Sequence, residues 1–170
     1  MEIETKLLQN MTHKLSVLFV ADDDDLREET TEILDELFKE VHSANNGRTG
    51  LETFQKYAQE KGEYFDLVIS DIMMPKMSGI DMAKKIAEDN DTQQFIFISA
   101  HQNSDYLIDL IDIGVSSFIS KPITFETLKA VLYKNCLKLE GDSLQKGLLN
   151  KVLQENEKLK QELIMLKGEK

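Results

Sequence analysis

Four stretches of this chain end in residues that could do chemistry together. Leu67-Val-Ile-Ser is a short apolar, β-branched run that ends on one carboxylate, Asp71. Ser16 to Ala21 runs into Asp22-Asp23-Asp24-Asp25, Phe95 to Ile98 ends at Ser99, and Ser117 to Ser120 ends at Lys121-Pro122. A carboxylate at the end of a strand serves as a metal ligand, a phosphoryl acceptor or a plain turn former. Carboxylates, a hydroxyl and an ammonium converging on Asp71 would hold a divalent cation and then a phosphoryl group. Hard oxygen ligands suit such a cation, and a lysine suits phosphate oxygens.

That convergence requires strands lying side by side with their carboxyl ends aligned. The patterning supplies them. Strand Ser16–Ala21 leads to a helix about Leu26–Lys39, and Val41–Ala44 is a second strand. A helix about Thr49–Gln59, strand Leu67–Ser70 and a helix about Ile80–Asn90 follow. Then come strand Phe95–Ser99, a helix about Ser104–Ile113, strand Ser117–Ile119 and a helix about Phe125–Leu139. Regular alternation with short connections implies an α/β fold whose parallel sheet is covered on both faces. Five strands and five helices suit a doubly wound, flavodoxin-like sheet of order 2-1-3-4-5, with its crevice at the carboxyl ends of the strands. Residues 14–139 form this domain. Residues 1–13 are an N-terminal extension in which Ile3, Leu7, Leu8 and Met11 fall at helical spacing, and the sequence leaves a leading helix or a disordered tail equally open. Residues 140–170 read as a linker and a coiled-coil helix.

Asp71, Met74, Pro75 and Gly79 meet the pattern Asp-x-x-Met-Pro-x-x-x-Gly. With the acidic run, Ser99 and Lys121-Pro122 in the right order, the chain resembles the receiver domain of two-component response regulators from about Lys14 to Leu139. The resemblance implies that Asp71 accepts a phosphoryl group from a sensor histidine kinase or a small phosphodonor. It implies Mg²⁺ held by Asp22, Asp23, Asp71 and the backbone carbonyl of Met73. It further implies that Ser99 and Lys121 grip the phosphoryl oxygens, that Ser99 and Phe118 move together as a switch, and that the Lys121-Pro122 bond is cis. The change would be read mainly on the face of the domain's fourth helix, fifth strand and fifth helix. A receiver of this kind is a signalling acceptor, and calling it an enzyme overstates its role. One departure stands out. Aligning the pattern on Leu26-Arg27 puts Ala21 where the family has its first acid and Asp22 at the second, whereas a one-residue deletion restores the pair as Asp22-Asp23. The first alternative motivates another function, a pseudo-receiver scaffold with weakened metal binding and phosphorylation. A phosphohydrolase of the haloacid type is disfavoured, because Met73 stands where its second Asp belongs. A flavin or nucleotide binder is disfavoured because no Gly-rich phosphate loop follows the first strand.

The remaining sequence narrows the partners. A net charge of −11 argues against direct nucleic-acid binding, which needs a basic face. Glu140–Lys170 holds six acids and six lysines, so the acidic excess lies before it and is consistent with a cation site. Cys136 excludes an internal disulfide and falls on the apolar stripe Phe125, Leu128, Leu132, Cys136, Leu139, as a small core residue. No apolar run approaches a membrane span and no signal-peptide core precedes Lys14, which places the expected setting in the cytoplasm. His13, His42 and His101 lack metal-ligand spacing, although His101, two residues past Ser99, would border the cleft. Met73, Met74 and Met77 read as loop and core filler. In the tail, Leu149, Val152, Asn156, Leu159, Leu163 and Leu166 alternate by three and four, the seam of a coiled coil. Glu155 and Glu162 fall on one flank and Lys160 and Lys167 on the other, each pair five apart. That is the spacing of salt bridges in a parallel homodimer through residues 148–166, against the plainer alternative of an amphipathic helix docked on the domain. No DNA-binding or catalytic output domain fits in the tail, and the kinase, pathway and output are not named by the sequence.

Overall fold

A computed structural model of the chain describes residues 2–100, 107–115 and 117–168. His101, and the start of the helix expected from Ser104, lie outside them. The elements run α1 (Glu2–Thr12), β1 (Ser16–Val20), α2 (Asp24–Leu37), β2 (Glu40–Ala44), α3 (Gly47–Lys61) and β3 (Leu67–Asp71). They continue through α4 (Gly79–Asp89), β4 (Gln94–Ser99), α5 (Leu107–Ile113), β5 (Ser117–Ser120) and α6 (Phe125–Gly168). All five strands are parallel, in the order β2-β1-β3-β4-β5.

Burial along each strand follows its place in the sheet. Every residue of β1 and β3 is buried, and so are the four central residues of β4, because helices cover both faces of these inner strands. The outer strands β2 and β5 are mixed, as expected where one side lacks a neighbour. Leu18, Val20, Val68, Phe95 and Phe97 pack on one face with Phe54, Tyr57, Met82, Ile86 and Leu110. Their alternates Val17, Phe19, Ile69, Ile96 and Ile98 are equally buried and point to the other face by the two-residue strand period.

The chain divides into two compact units, Met1–Asn135 and Cys136–Lys170. Residues 2–12 form a helix belonging to the first unit. Leu8, Met11 and Thr12 are buried, and the Thr12 hydroxyl donates to the Leu37 carbonyl at 2.6 Å. In the second unit, the linker expected around Gly141 and Gly147 is helical, as part of α6. A lone glycine costs a helix about 1 kcal/mol relative to Ala, and flanking residues such as Leu144, Gln145 and Lys146 are good helix formers with no proline among them. Every apolar side chain from Leu144 to Leu166 is more than half exposed. No helix among the described residues is long and apolar enough to cross a membrane.

Candidate functional site

β1 and β3 are neighbours, yet β1 is followed by a helix that leads outward to β2. The chain therefore parts at their carboxyl ends, where a crevice opens. Asp71 is the last residue of β3 and only 2% exposed. Val20 pairs with Ser70, so Ala21 follows beside Asp71 on one side. Asp71 pairs with Ile98, so Ser99 follows on the other. Ser99 pairs in turn with Ser120, and its carbonyl accepts the Lys121 amide at 2.9 Å. This puts Lys121 within reach, and its Nζ donates to Asp71 Oδ2 at 2.9 Å. The Lys121-Pro122 bond is cis, as expected.

The carboxyl of Asp71 is held above the ordinary carboxylate range. Burial is the main cause. The Lys121 hydrogen bond and charge act the other way, and the negative charges of Asp22 and Asp23 push it up again. Asp71 is thus a buried carboxylate in an excess of negative charge, held by one ammonium. Such a site suits a hard cation chemically, since Asp22, Asp23, Asp71 and the Met73 carbonyl offer oxygen donors only. The side chains are not gathered into a finished cage, for among the described residues no three His, Cys, Asp or Glu side chains stand close enough together to hold a metal.

The acidic run splits between two tasks. Asp23 is the N-cap of α2 and accepts the Leu26 amide at 3.0 Å, while Asp24 and Asp25 lie in the first turn, where carboxylates complement the helix dipole. The cap of α2 therefore falls within the acidic run, on Asp23. Asp22, just after β1, is exposed. Ala21 is fully buried, and Arg27 donates to its carbonyl at 2.9 Å while pairing with Asp24. Arg27 thus braces the end of β1. Phe118 lies on β5, 45% exposed, with its ring centroid 6.5 Å from that of the buried Phe97. Of the expected residues, Asp71 and Lys121 are bonded, Ser99 is adjacent by register, Asp22 and Asp23 reach Asp71 through their charge, and Met73 is 68% exposed on the following loop.

Two glycines fix that loop. A Cβ on Gly79 would stand 2.0 Å from the Asp71 carbonyl oxygen, so only glycine lets α4 start this close to Asp71. A Cβ on Gly47 would stand 2.4 Å from the Met77 carbonyl oxygen, to which Gly47 donates its own amide at 3.1 Å. Gly79 is part of the sequence pattern. Gly47 is not, and the signal that could have found it is Asn46-Gly47, a cap followed by a small first residue. Between them, the Met77 amide donates to the Pro75 carbonyl across Lys76, which is held at φ 66°. A non-glycine residue in this region stores about 1–3 kcal/mol. Lys76→Gly should therefore raise the unfolding free energy by about 1 kcal/mol, after allowing for glycine's larger chain entropy. A urea titration measures this, and a fall in stability would mean that the lysine side chain itself anchors the loop.

The chain matches the response regulator receiver domain over residues 17–133. It is 32% identical over 127 residues to the chemotaxis protein CheY-3 of Vibrio cholerae, covering 73% of this chain and 93% of that one. Among solved structures, the N-terminal domain of an uncharacterized protein from Wolinella succinogenes aligns with a TM-score of 0.65 and 33% identity, covering 78% of this chain and 98% of that domain. A chain of the CheX-CheY-BeF3-Mg+2 complex of Borrelia burgdorferi aligns with a TM-score of 0.60 and 26% identity, over 74% of this chain and 88% of the other.

Proposed function

The chain belongs to the response regulator receiver family of two-component signalling, and from that premise we propose that Asp71 is the carboxylate that accepts the phosphoryl group. The observation that carries this reading is the Asp71–Lys121 bond at the mouth of the β1/β3 crevice, with Ser99 one residue beyond the strand partner of Asp71. Lys121 holds Oδ2, which leaves the other carboxylate oxygen to attack. In the reaction with acetyl phosphate, that oxygen forms a bond to phosphorus as the bond from phosphorus to the acetate oxygen breaks, and acetate leaves with the electron pair. The product is an aspartyl phosphate. A sensor histidine kinase supplies the same group from a phosphohistidine. Asp22, Asp71 and the Met73 carbonyl, with Asp23 nearby, would hold Mg²⁺, which would supply positive charge against the phosphoryl dianion. Lys121 turns from the carboxylate to a phosphoryl oxygen, and the Ser99 hydroxyl donates to another. Phe118 follows Ser99 inward from its exposed position, a shift between two states of one domain. The domain serves as a cytoplasmic signalling acceptor and not as an enzyme. The tail from Leu148 to Leu166 pairs two copies, and no nucleic acid or membrane takes part directly.

A second reading, a scaffold with weak metal binding, is favoured by one feature of the site: Ala21 occupies the buried position beside Asp71, and Asp23 is engaged as a helix cap. Both readings meet in one experiment. Phosphoryl uptake from acetyl phosphate, followed by intact mass, is expected to require Mg²⁺ and to cease with EDTA. Cation affinity rises with the number of charged ligands, so Ala21→Asp should tighten Mg²⁺ by about tenfold and speed uptake. Uptake that ignores Mg²⁺ would sink the first reading, and no uptake at any Mg²⁺ concentration would establish the second.

A further inference from the structure

The flanks of the tail's seam change character at one end. Glu155 and Glu162 on one flank stand five residues before Lys160 and Lys167 on the other. Seven residues back from Glu155 and from Lys160, the same flank positions hold Leu148 and Leu153, again five apart. The step that sets Glu155 against Lys160 of a parallel partner therefore sets Leu148 against Leu153 of that partner. With Leu149 and Val152 between them, apolar side chains cross the whole width of the helix face at the N-terminal end of the seam.

The apolar face continues past Leu148. Leu144 lies four residues before it and Leu137 seven before that, spacings that return to the same side of a helix. The whole stretch is helical, as part of α6, and falls within the second unit, Cys136–Lys170. Leu137 is 49% exposed, and Leu144, Leu148 and Leu153 are each more than half exposed. From Leu144 through Leu148 and Val152 to Asn156 every step is four residues. Such steps unwind a coil locally and carry a heptad seam into a straighter pair of helices. A second copy is the occupant already aligned with this face. Pairing that brings the two Asn156 amides into register sets each Leu144, and each Leu137, across from its own counterpart.

We propose that the surface covered by a second copy begins at Leu137 and runs through residues 137–147, the stretch whose glycines suggest a linker, before it reaches the seam. Leu144, together with the flank pair of Leu148 and the partner's Leu153, forms the apolar centre of that N-terminal part. The inference rests on the pairing of the tail and extends it by three turns of helix. It is independent of the role of Asp71.

Sedimentation equilibrium of the full chain and four single substitutions tests it. Glutamine keeps helix propensity while removing the apolar surface, and Leu144, Leu148, Val152 and Ile164 are all exposed in the single chain, so folding is not at stake. Leu144→Gln and Leu148→Gln should each raise the dimer Kd by at least about tenfold, because every pair loses two buried leucines. Val152→Gln, inside the seam, should weaken the pair in either case, and Ile164→Gln, outside it, should leave the Kd unchanged. If Val152→Gln weakens the dimer while Leu144→Gln and Leu148→Gln match the unsubstituted chain, the tail pairs but the extension is wrong. The extension is equally overturned if Ile164→Gln weakens the dimer as much as Leu144→Gln does. An unsubstituted chain that stays monomeric overturns the pairing and the extension together.

Discussion

A chain carrying Asp71→Asn is expected to take up no phosphoryl group from acetyl phosphate and Mg²⁺, where the unsubstituted chain should take up one. The amide keeps the shape of the carboxylate but lacks a nucleophilic oxygen, so the loss is complete and not graded. The same substitution changes stability in a direction set by the site. Burial holds the Asp71 carboxyl above its ordinary range despite Lys121, so the folded state favours its protonated form. Stability from this group is complete below about pH 4, the range of an unfolded carboxylate, and is lost as pH rises through the raised folded value. Asp71→Asn lacks this titration. Its stability advantage over the unsubstituted chain should therefore widen between about pH 4 and pH 7. Taking the difference cancels the other carboxylates. Mg²⁺ at neutral pH should then stabilise the unsubstituted chain and leave the variant unchanged. Urea titrations at two pH values measure the gap, and a gap that narrows with pH would mean that Lys121 outweighs burial.

Ending the chain near Leu139 should convert a dimer into a monomer. Leu149, Asn156 and Leu163 form one edge of the seam and Val152, Leu159 and Leu166 the other, and the five apolar members are all more than half exposed in the single chain. Burying each Leu or Val fully contributes about 1.5–3 kcal/mol, which is ample for association in the micromolar range. Leu at the second edge and a lone Asn at the first favour two parallel strands, because the amides find each other only in register. Glu155 facing Lys160 of the partner, and Glu162 facing Lys167 of the partner, set the orientation and add only about 0.2–1 kcal/mol each. Asn156→Leu should raise the melting temperature and admit higher oligomers. Sedimentation of the full and shortened chains decides the matter. Two monomers across micromolar concentrations would leave the tail without a homotypic role.

The inner strands were legible because each is an unbroken apolar run. Leu67–Ser70 and Phe95–Ile98 cannot face water on either side, and a parallel sheet under two layers of helix is what such runs require. The site was legible for a related reason, since Asp71, Ser99 and Lys121 each stand just after such a run, and parallel strands bring those ends together. What the sequence hid depends on three-dimensional neighbours. Leu8 and Met11 read as a weak helical stripe, and only the Thr12–Leu37 hydrogen bond and the burial of both side chains show α1 to be part of the domain. Asp23 looks like its three acidic neighbours until the start of α2 makes it a cap. Gly141 and Gly147 suggest a break, but the helix continues through them on good helix formers such as Leu144, Gln145 and Lys146. Lys129 follows Leu128 on the stripe and would be placed at its solvent edge, yet it is buried by residues more than a hundred positions earlier in the chain.

Borohydride trapping identifies the phosphoryl acceptor without substituting any residue. The chain is phosphorylated with acetyl phosphate and Mg²⁺, reduced at once, digested and sequenced by mass spectrometry. Reduction converts an acyl phosphate on aspartate to homoserine and leaves free carboxylates untouched. Homoserine at position 71 alone is the expected result, whereas homoserine at Asp22 or Asp23, or none anywhere in a chain that has gained phosphate, would mean that Asp71 is not the acceptor.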